Sequence, residues 1–227
     1  MKNVLLRALT ISLFIISCKS EDHPDPIQQP VTYMPVTAGS TWNYELINNT
    51  PPATPQTFTL TSTTRDSAIN GKQYRVFTNS ISANEYYNIT GNEYYNFRNL
   101  PAALGTSSVE YLYLKDNAGV NSSWSQTYPI TVSGVTLNAI LTNTVTEKGI
   151  SKTVKGATYN DVIHVTTTVG INIGGIPLPA SAITSDIQSY YAAKIGMIQS
   201  VNKIKLDYAG FKDSANQQIS LNSYDIK

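Results

Sequence analysis

The chain of 227 residues carries 16 Lys and Arg against 15 Asp and Glu, which gives a formal net charge of +1. Such a near-neutral chain offers no strongly basic surface, so a nucleic-acid partner is not expected. With a single cysteine, the chain can form no internal disulfide and no metal site built on several cysteines. The length suits one β domain, and no pattern below predicts a cofactor, a metal site or a catalytic set.

The first residues of the chain have the pattern of an export signal. The initial stretch carries Lys2 and Arg7, and the residues that follow, up to Ile16, are mostly apolar. An apolar run of about ten residues is typical of a signal peptide and is too short to span about 30 Å of hydrocarbon. We therefore predict a signal peptide over residues 1–17.

Residues 14–18, Phe-Ile-Ile-Ser-Cys, resemble a bacterial lipoprotein box, although Ile15 stands where leucine is commonest. The resemblance implies cleavage before Cys18 and the attachment of a diacylglycerol thioether and an N-acyl chain to that cysteine. Two or more acyl chains hold a protein stably at a membrane, whereas one gives marginal binding. The alternative is that Cys18 is a buried, unmodified thiol.

The segment after the cysteine also resembles a targeting signal. Ser20-Glu21-Asp22 is similar to the short acidic signal that follows the lipidated cysteine in surface lipoproteins of the Bacteroidota. The resemblance implies an outer-membrane lipoprotein exposed on the cell surface, with a periplasm-facing position as the alternative. The lipidated cysteine and the proline-rich stretch after it, residues 18–31, are predicted to be an extended tether for one β domain over residues 32–227.

Two short motifs bracket this domain. Trp42, Tyr44 and Leu46 alternate with more polar residues, as in a half-buried strand. The stretches 33–44 and 190–200 together resemble a motif pair of uncharacterised Bacteroidota lipoproteins: Gly-x-x-Trp-x-Tyr near the start, and Tyr-Tyr-Ala-x-x-x-Gly near the end. That resemblance implies a strongly curved antiparallel sheet, similar to the half-barrel of periplasmic lipoprotein carriers, and implies no activity.

Between the two motifs, runs of β-formers recur with turn residues between them. Asn70-Gly71 is a strong hairpin signal, and Lys148-Gly149 is interpreted as a second tight turn. Further strands are predicted at 57–65, 73–78, 109–114, 130–132, 137–145, 152–154, 159–169, 203–208 and 219–224, with Asp213-Ser214 and Asn216 in the last connection. The predicted fold is all-β, a single antiparallel and strongly curved, half-barrel-like sheet. A two-sheet β-sandwich is the alternative.

An internal near-repeat, residues 84–88 and 92–96, predicts a tyrosine hairpin. A two-residue turn at Gly91-Asn92 pairs Ile89 with Tyr94, Tyr86 with Phe97 and Glu85 with Arg98. Aromatic faces flanked by Asn and Glu suit sugar rings, so these tyrosines are the candidate ligand surface: Tyr86, Tyr87, Tyr94 and Tyr95. The alternative is that they are strand formers packing a half-buried sheet.

Residues 170–184 contain three glycines, two prolines and no charge. An apolar loop must be covered by something, and in a curved sheet it can close over the concave face. The candidate lid residues are Ile171, Ile173, Ile176 and Leu178, with residues 100–104 in the same role from the other side. The alternative is an irregular hairpin packed on the core.

These observations predict a membrane-anchored, non-catalytic binding or envelope module that holds an apolar, lipid-like or glycan ligand. A concave apolar cavity favours the lipid version, and an exposed row of tyrosines favours the glycan version. One alternative is a hydrolase that uses Glu85 with Glu93, or His164 with an acid. Another is a purely structural surface protein. Ser67 and Ser214 lie in Asp-Ser-Ala tripeptides that resemble Bacteroidota O-glycan attachment sites.

Overall fold

The structure, a computed structural model, describes residues 31–49, 53–99, 108–132, 135–208 and 211–227. Residues Val31–Lys227 form one compact unit. The predicted signal peptide, Cys18 and most of the predicted tether lie outside the described residues, as does the second candidate lid, residues 100–104.

Thirteen β-strands make up the regular structure of the described residues. In chain order they are β1 (Thr41–Asn48), β2 (Pro55–Ile69), β3 (Lys72–Asn79), β4 (Glu85–Thr90), β5 (Glu93–Asn99), β6 (Ser108–Lys115), β7 (Ser123–Val132), β8 (Val135–Val154), β9 (Ala157–Ile173), β10 (Ile176–Pro177), β11 (Ile183–Ala192), β12 (Gly196–Tyr208) and β13 (Phe211–Asp225). The density of Thr, Val, Ile and Tyr in these segments explains their extended conformation, because such side chains pack well on a pleated surface.

All strands belong to one antiparallel sheet in the order β6-β5-β4-β3-β2-β1-β13-β12-β11-β9-β8-β7, with β10 paired to β9 off this path. Strand β1 pairs with β13, so the two ends of the domain are joined in the middle of the sheet. The prediction of a single, strongly curved antiparallel sheet is confirmed. The sheet curls further than a half-barrel, into a barrel that is nearly closed, with one seam between β6 and β7.

The turns explain where the strand boundaries fall. Asn70-Gly71 and Lys155-Gly156 both have positive φ at both residues, as a two-residue type I′ hairpin requires. The predicted Asn70-Gly71 hairpin is therefore confirmed. The predicted tight turn at Lys148-Gly149 is wrong, because β8 runs through it: the pairing register with β9 shifts there, so the positive φ of Gly149 sits in a bulge.

The last strand pair is longer than the sequence pattern indicates. Strand β12 ends at Tyr208 and β13 already begins at Phe211, so residues 213–216 lie in a strand and not in the connection. Ser214 lies opposite Lys205 in the resulting ladder. The polar residues of this segment have weak β propensity, so the sequence pattern does not indicate a strand there. The pairing with β12 outweighs this weak propensity.

One end of the barrel, which we call the base, is filled by side chains. The turns that join β2 to β3, β4 to β5, β8 to β9 and β11 to β12 lie there. The indole of Trp42 donates to the backbone oxygen of Ile195 at 2.7 Å. The chain enters the domain at this end, where the backbone amide of Lys194 donates to the backbone oxygen of Thr32 at 2.6 Å.

Side chains, and not a backbone ladder, close the seam. The backbone amide of Leu112 in β6 donates to Gln126 Oε1 in β7 at 2.7 Å. The backbone oxygen of Leu112 accepts from Trp124 Nε1 at 2.9 Å and from Asn143 Nδ2 at 3.0 Å. These bonds satisfy the backbone amide and oxygen of Leu112, which a neighbouring ladder strand would otherwise satisfy.

Candidate functional site

A cavity of about 870 Å³ occupies mainly the half of the barrel opposite the base, and its lining extends toward the base at Met34, Ser67 and Ile69. This volume lies within the range of about 300–1,000 Å³ that is typical of small-molecule sites. Most of the lining side chains are aromatic or aliphatic, among them Tyr44, Phe58, Leu60, Tyr87, Tyr113, Leu141, Val169, Ile187, Tyr191, Met197 and Ile219. The connection between β3 and β4, residues 82–84, forms part of its rim. We refer to this part of the barrel as the hollow half.

Packed tyrosines form the aromatic side of the cavity. The rings of Tyr44 and Phe58 stack at 5.2 Å, and Tyr113 lies 5.3 Å from Tyr191 and 6.2 Å from Tyr87. Burial raises the pKa of Tyr44, Tyr113 and Tyr191 above the ordinary tyrosine value. Burial together with the nearby carboxylate of Glu85 does the same for the pKa of Tyr87. These hydroxyls therefore stay protonated and uncharged at neutral pH.

A strip of polar side chains lies on the wall formed by β11, β12 and β13. Ser189 lies opposite Ser200, and Asn202 lies opposite Gln217, and all four line the cavity. Among the described residues, Asn202 Oδ1 is a buried side-chain atom without a hydrogen-bond partner. Such unpaired buried polar atoms are rare in folded proteins, so each calls for a physical explanation.

Two charged side chains border the cavity near its rim. The carboxylate of Glu85 accepts hydrogen bonds from Asn79 Nδ2 at 2.8 Å and from the Tyr87 hydroxyl at 2.5 Å. The exposed guanidinium of Arg98 lies 4.8 Å from the centroid of the Tyr111 ring. The rim thus carries one charge of each sign.

The predicted tyrosine hairpin has the predicted register from Thr90–Glu93 to Tyr86–Phe97. Beyond it, Arg98 pairs in the ladder with Val109 of β6, and Glu85 pairs with Phe77 of β3. The Glu85 carboxylate and the Arg98 guanidinium contact different groups. The carboxylate accepts from Asn79 and Tyr87, and the guanidinium lies over the Tyr111 ring.

The four tyrosines of the hairpin do not form one surface. Tyr94, which is 2% exposed, belongs to the main core, and Tyr87 packs against that core. Tyr95, which is 9% exposed, belongs to a separate cluster with Tyr74 and Leu112, and Tyr86 packs against it. Successive strand residues point to opposite faces, so an exposed row of all four is not present. Tyr87 borders the cavity on the side of the main core and Tyr86 borders it from the other face of β4, whereas Tyr94 and Tyr95 serve packing.

The candidate lid is mostly strand. Strand β9 continues to Ile173, and Gly174 and Gly175, both at positive φ, turn the chain back into the short β10. Ile171 is buried opposite Ala139, whereas Ile176 is 73% exposed. Leu178 is half-buried, and its backbone amide donates to Ile171. Among the described residues that line the cavity, none is one of the four candidate lid residues. The segment is a hairpin extension of β9, because the two glycines permit a tight turn.

His164 lies in a polar cluster apart from the cavity-lining residues. Its Nδ1 is 2.8 Å from Glu147 Oε2, and its ring stacks on Tyr190 at 4.1 Å. The histidine and an acid therefore converge, as the hydrolase alternative requires. However, His164 Nε2 faces Gln188 Oε1 at 2.6 Å. In a catalytic triad this ring nitrogen contacts the nucleophilic hydroxyl, so the amide oxygen of Gln188 occupies the place of the nucleophile.

The other candidate acid pair does not converge. Glu85 and Glu93 lie at opposite ends of the β4–β5 hairpin, where Glu93 faces Thr90 in the ladder. Thr90 lies five residue steps along the strand from Glu85, which corresponds to about 17 Å. Glu93 instead pairs with Lys115 at 2.7 Å, and its bonds to Lys115 and Tyr95 lower the pKa of its carboxyl.

The sequence reasoning overlooked the polar strip. Its members alternate along their strands with large apolar residues, for example Ser189 with Tyr191 and Asn202 with Ile204. The sequence signal for such a strip is a polar residue at a register position that faces the barrel interior. Of the two candidate glycan sites, Ser67 is half-buried in β2 opposite Tyr74, and Ser214 is exposed in β13.

Within the described ranges, no group of three or more His, Cys, Asp and Glu side chains could hold a metal ion. The same ranges contain no helix with the length and apolarity needed to cross a membrane. Comparisons with protein-family models, with curated proteins and with solved structures found no match for this chain.

Proposed function

We propose that the protein is a membrane-anchored, extracytoplasmic lipoprotein without catalytic activity that binds an apolar or lipid-like ligand inside its barrel. The observation that supports this function most strongly is the cavity of about 870 Å³ lined by aromatic and aliphatic side chains. Apolar contact surface in such a site contributes about 25 cal/mol per Å² removed from water. The glycan version of the hypothesis has less support, because the four hairpin tyrosines lie on two faces.

The anchor is the second part of the proposal. The lipobox-like residues 14–18 and the acidic Ser20-Glu21-Asp22 support lipidation at Cys18 and exposure on the surface of an outer membrane. The described chain enters the barrel at the base, at the opposite end from the cavity rim.

Uptake of the neutral apolar dye N-phenyl-1-naphthylamine tests the ligand site. The full chain carrying Cys18→Ser is titrated with the dye, so that anchor acyl chains cannot compete. We expect saturable fluorescence enhancement, and we expect Ser200→Phe to abolish it, because the new ring occupies the cavity. The matched control is Val201→Phe, whose side chain follows on the opposite face of β12 and should leave uptake unchanged. Uptake that is absent in the parent chain, or unaffected by Ser200→Phe, contradicts the proposal.

Membrane fractionation and intact-mass measurement test the anchor. We expect the native protein in the membrane fraction with the added mass of its acyl chains, and the Cys18→Ser variant outside it. Replacement of Ser20, Glu21 and Asp22 by alanine should keep the membrane association but remove cleavage by a protease added to whole cells. An unmodified mass at Cys18 in the native protein contradicts the anchor.

A further inference from the structure

The polar strip of Ser189, Ser200, Asn202 and Gln217 is an unusual feature for a cavity that otherwise presents aromatic and aliphatic side chains. Its members belong to three adjacent strands and occupy two successive inward-facing register rows. The cavity therefore has two chemically different sides, which is the lining that an amphipathic ligand requires.

The unpaired Asn202 Oδ1 indicates that a ligand must supply a hydrogen-bond donor to the strip. The atom is buried and accepts no hydrogen bond from any described residue. A buried acceptor without a donor costs free energy, and a group that donates a hydrogen bond to it recovers that cost. The neighbouring amide of Gln217, directly opposite in the ladder, can both donate and accept. A hydroxyl suits this pair, because it donates to one amide and accepts from the other.

The charges of the site argue against an anionic head group at this position. No Lys or Arg belongs to the strip, and the one cation among the described lining residues is Arg98, which is exposed near the rim. A carboxylate can accept hydrogen bonds from the amide nitrogens of Asn202 and Gln217, but it cannot donate one to Asn202 Oδ1, and the strip offers it no counter-charge. Burial of an unpaired charge is strongly unfavourable.

On the basis of the proposed ligand site, we infer that the barrel binds an uncharged amphiphile whose hydroxyl group lies between Asn202 and Gln217. The apolar part of the ligand packs against the aromatic side formed by Tyr44, Phe58 and Tyr87. The polar strip is thus the specificity determinant of the cavity: it selects a hydroxyl head over a carboxylate head on the same hydrocarbon chain.

Displacement of bound N-phenyl-1-naphthylamine by two matched competitors tests this inference. The full chain carrying Cys18→Ser is loaded with the dye and titrated at pH 7 with 1-dodecanol or with dodecanoate. We expect 1-dodecanol to displace the dye at a concentration about tenfold lower, the factor that one hydrogen bond of ordinary strength provides. In Asn202→Leu and in Gln217→Leu this preference should disappear.

The matched control is Gln218→Leu, which changes the neighbouring side chain on the opposite face of β13 and should keep the tenfold preference. Asn202→Leu removes an unpaired buried polar atom, so we expect its melting temperature to equal or exceed that of the parent chain. Loss of the preference therefore reports the head-group contact and not unfolding.

Two outcomes overturn the inference and differ from a failure of the proposed function. If the dye binds but both competitors displace it equally, the cavity takes apolar ligands without reading a hydroxyl. If dodecanoate is the better competitor and Arg98→Gln removes its advantage, the head group lies at the rim. If the dye does not bind at all, the proposed function itself fails.

Discussion

The base and the hollow half of the barrel share the same strands but differ in what fills the interior. In the base, Trp42 and Ile198 are each at most 1% exposed and belong to one core cluster. In the hollow half, the inward positions of β11 and β12 carry smaller or more polar residues such as Ser189 and Ser200. About eight strands give a barrel that side chains can just fill, so a barrel of twelve strands is wider than its side chains need. In a barrel this wide, small or polar inward side chains leave a hollow, whereas large side chains such as Trp42 fill the base.

The largest expected effect comes from emptying the base. Trp42→Ala should reduce the free energy of unfolding by about 3–5 kcal/mol, because a fully buried indole leaves a cavity. Ile187→Ala removes a half-buried side chain that already borders open space, and should cost clearly less. Urea unfolding followed by fluorescence measures both. Equal losses for the two variants would mean that the halves do not differ in packing.

Removal of a side-chain contact at the seam should cause the next largest loss in the free energy of unfolding. Asn143 is 1% exposed, and its side chain bonds to the Leu112 backbone oxygen, the Tyr111 hydroxyl and Thr167. Asn143→Ala should therefore cost about 2–3 kcal/mol, since several buried groups lose their partner. Asn138→Ala, at an exposed position of the same strand, is the control and should stay within about 0.5 kcal/mol of the parent.

High pH should destabilise the protein through its buried tyrosines. Burial, together with bonds to Asp116 and Glu93 respectively, raises the pKa of Tyr94 and of Tyr95 to about 12. A raised pKa in the folded state contributes stability that is fully present below the unfolded pKa of about 10 and is lost between about pH 10 and 12. We expect unfolding on this alkaline limb, with tyrosinate absorbance at 295 nm rising cooperatively. A gradual rise centred on pH 10 without unfolding would show that the rings are accessible.

The smallest expected effect concerns the polar cluster around His164. His164→Gln breaks the contact with Glu147 and the stack on Tyr190, and should cost about 1 kcal/mol. Uptake of N-phenyl-1-naphthylamine should not change, because the described cavity lining does not include this cluster. A variant that folds but no longer takes up the dye would connect the cluster to the site.

Much of the sheet could be predicted from local patterns, because alternation and turn chemistry are local properties. The Asn70-Gly71 turn and the Tyr86–Phe97 register follow from neighbouring residues and are present. The pairing of β1 with β13, which joins the two ends of the domain in the middle of the sheet, connects residues that are far apart in the chain, and no local pattern encodes it. The same holds for the seam, where side chains replace the backbone ladder.

The site was harder to predict than the sheet. Adjacent tyrosines such as Tyr86 and Tyr87 must point to opposite faces of a strand, so alternation itself argues against a single tyrosine surface. The absence of charge in the apolar stretch after Gly170 predicts a lid, but its glycines turn the chain back along β9. Empty space cannot be deduced from composition, since it depends on how many strands close the barrel.

Hydrogen–deuterium exchange with and without saturating N-phenyl-1-naphthylamine tests the account most directly, because it compares the two halves in one experiment. A ligand that binds only the native state suppresses the local openings that expose its site. We predict slower exchange at the backbone amides around Ser189, Ser200 and Asn202, and no change around Trp42 in the base. Unchanged exchange at the polar strip, or protection confined to the base, would contradict a ligand site in the hollow half.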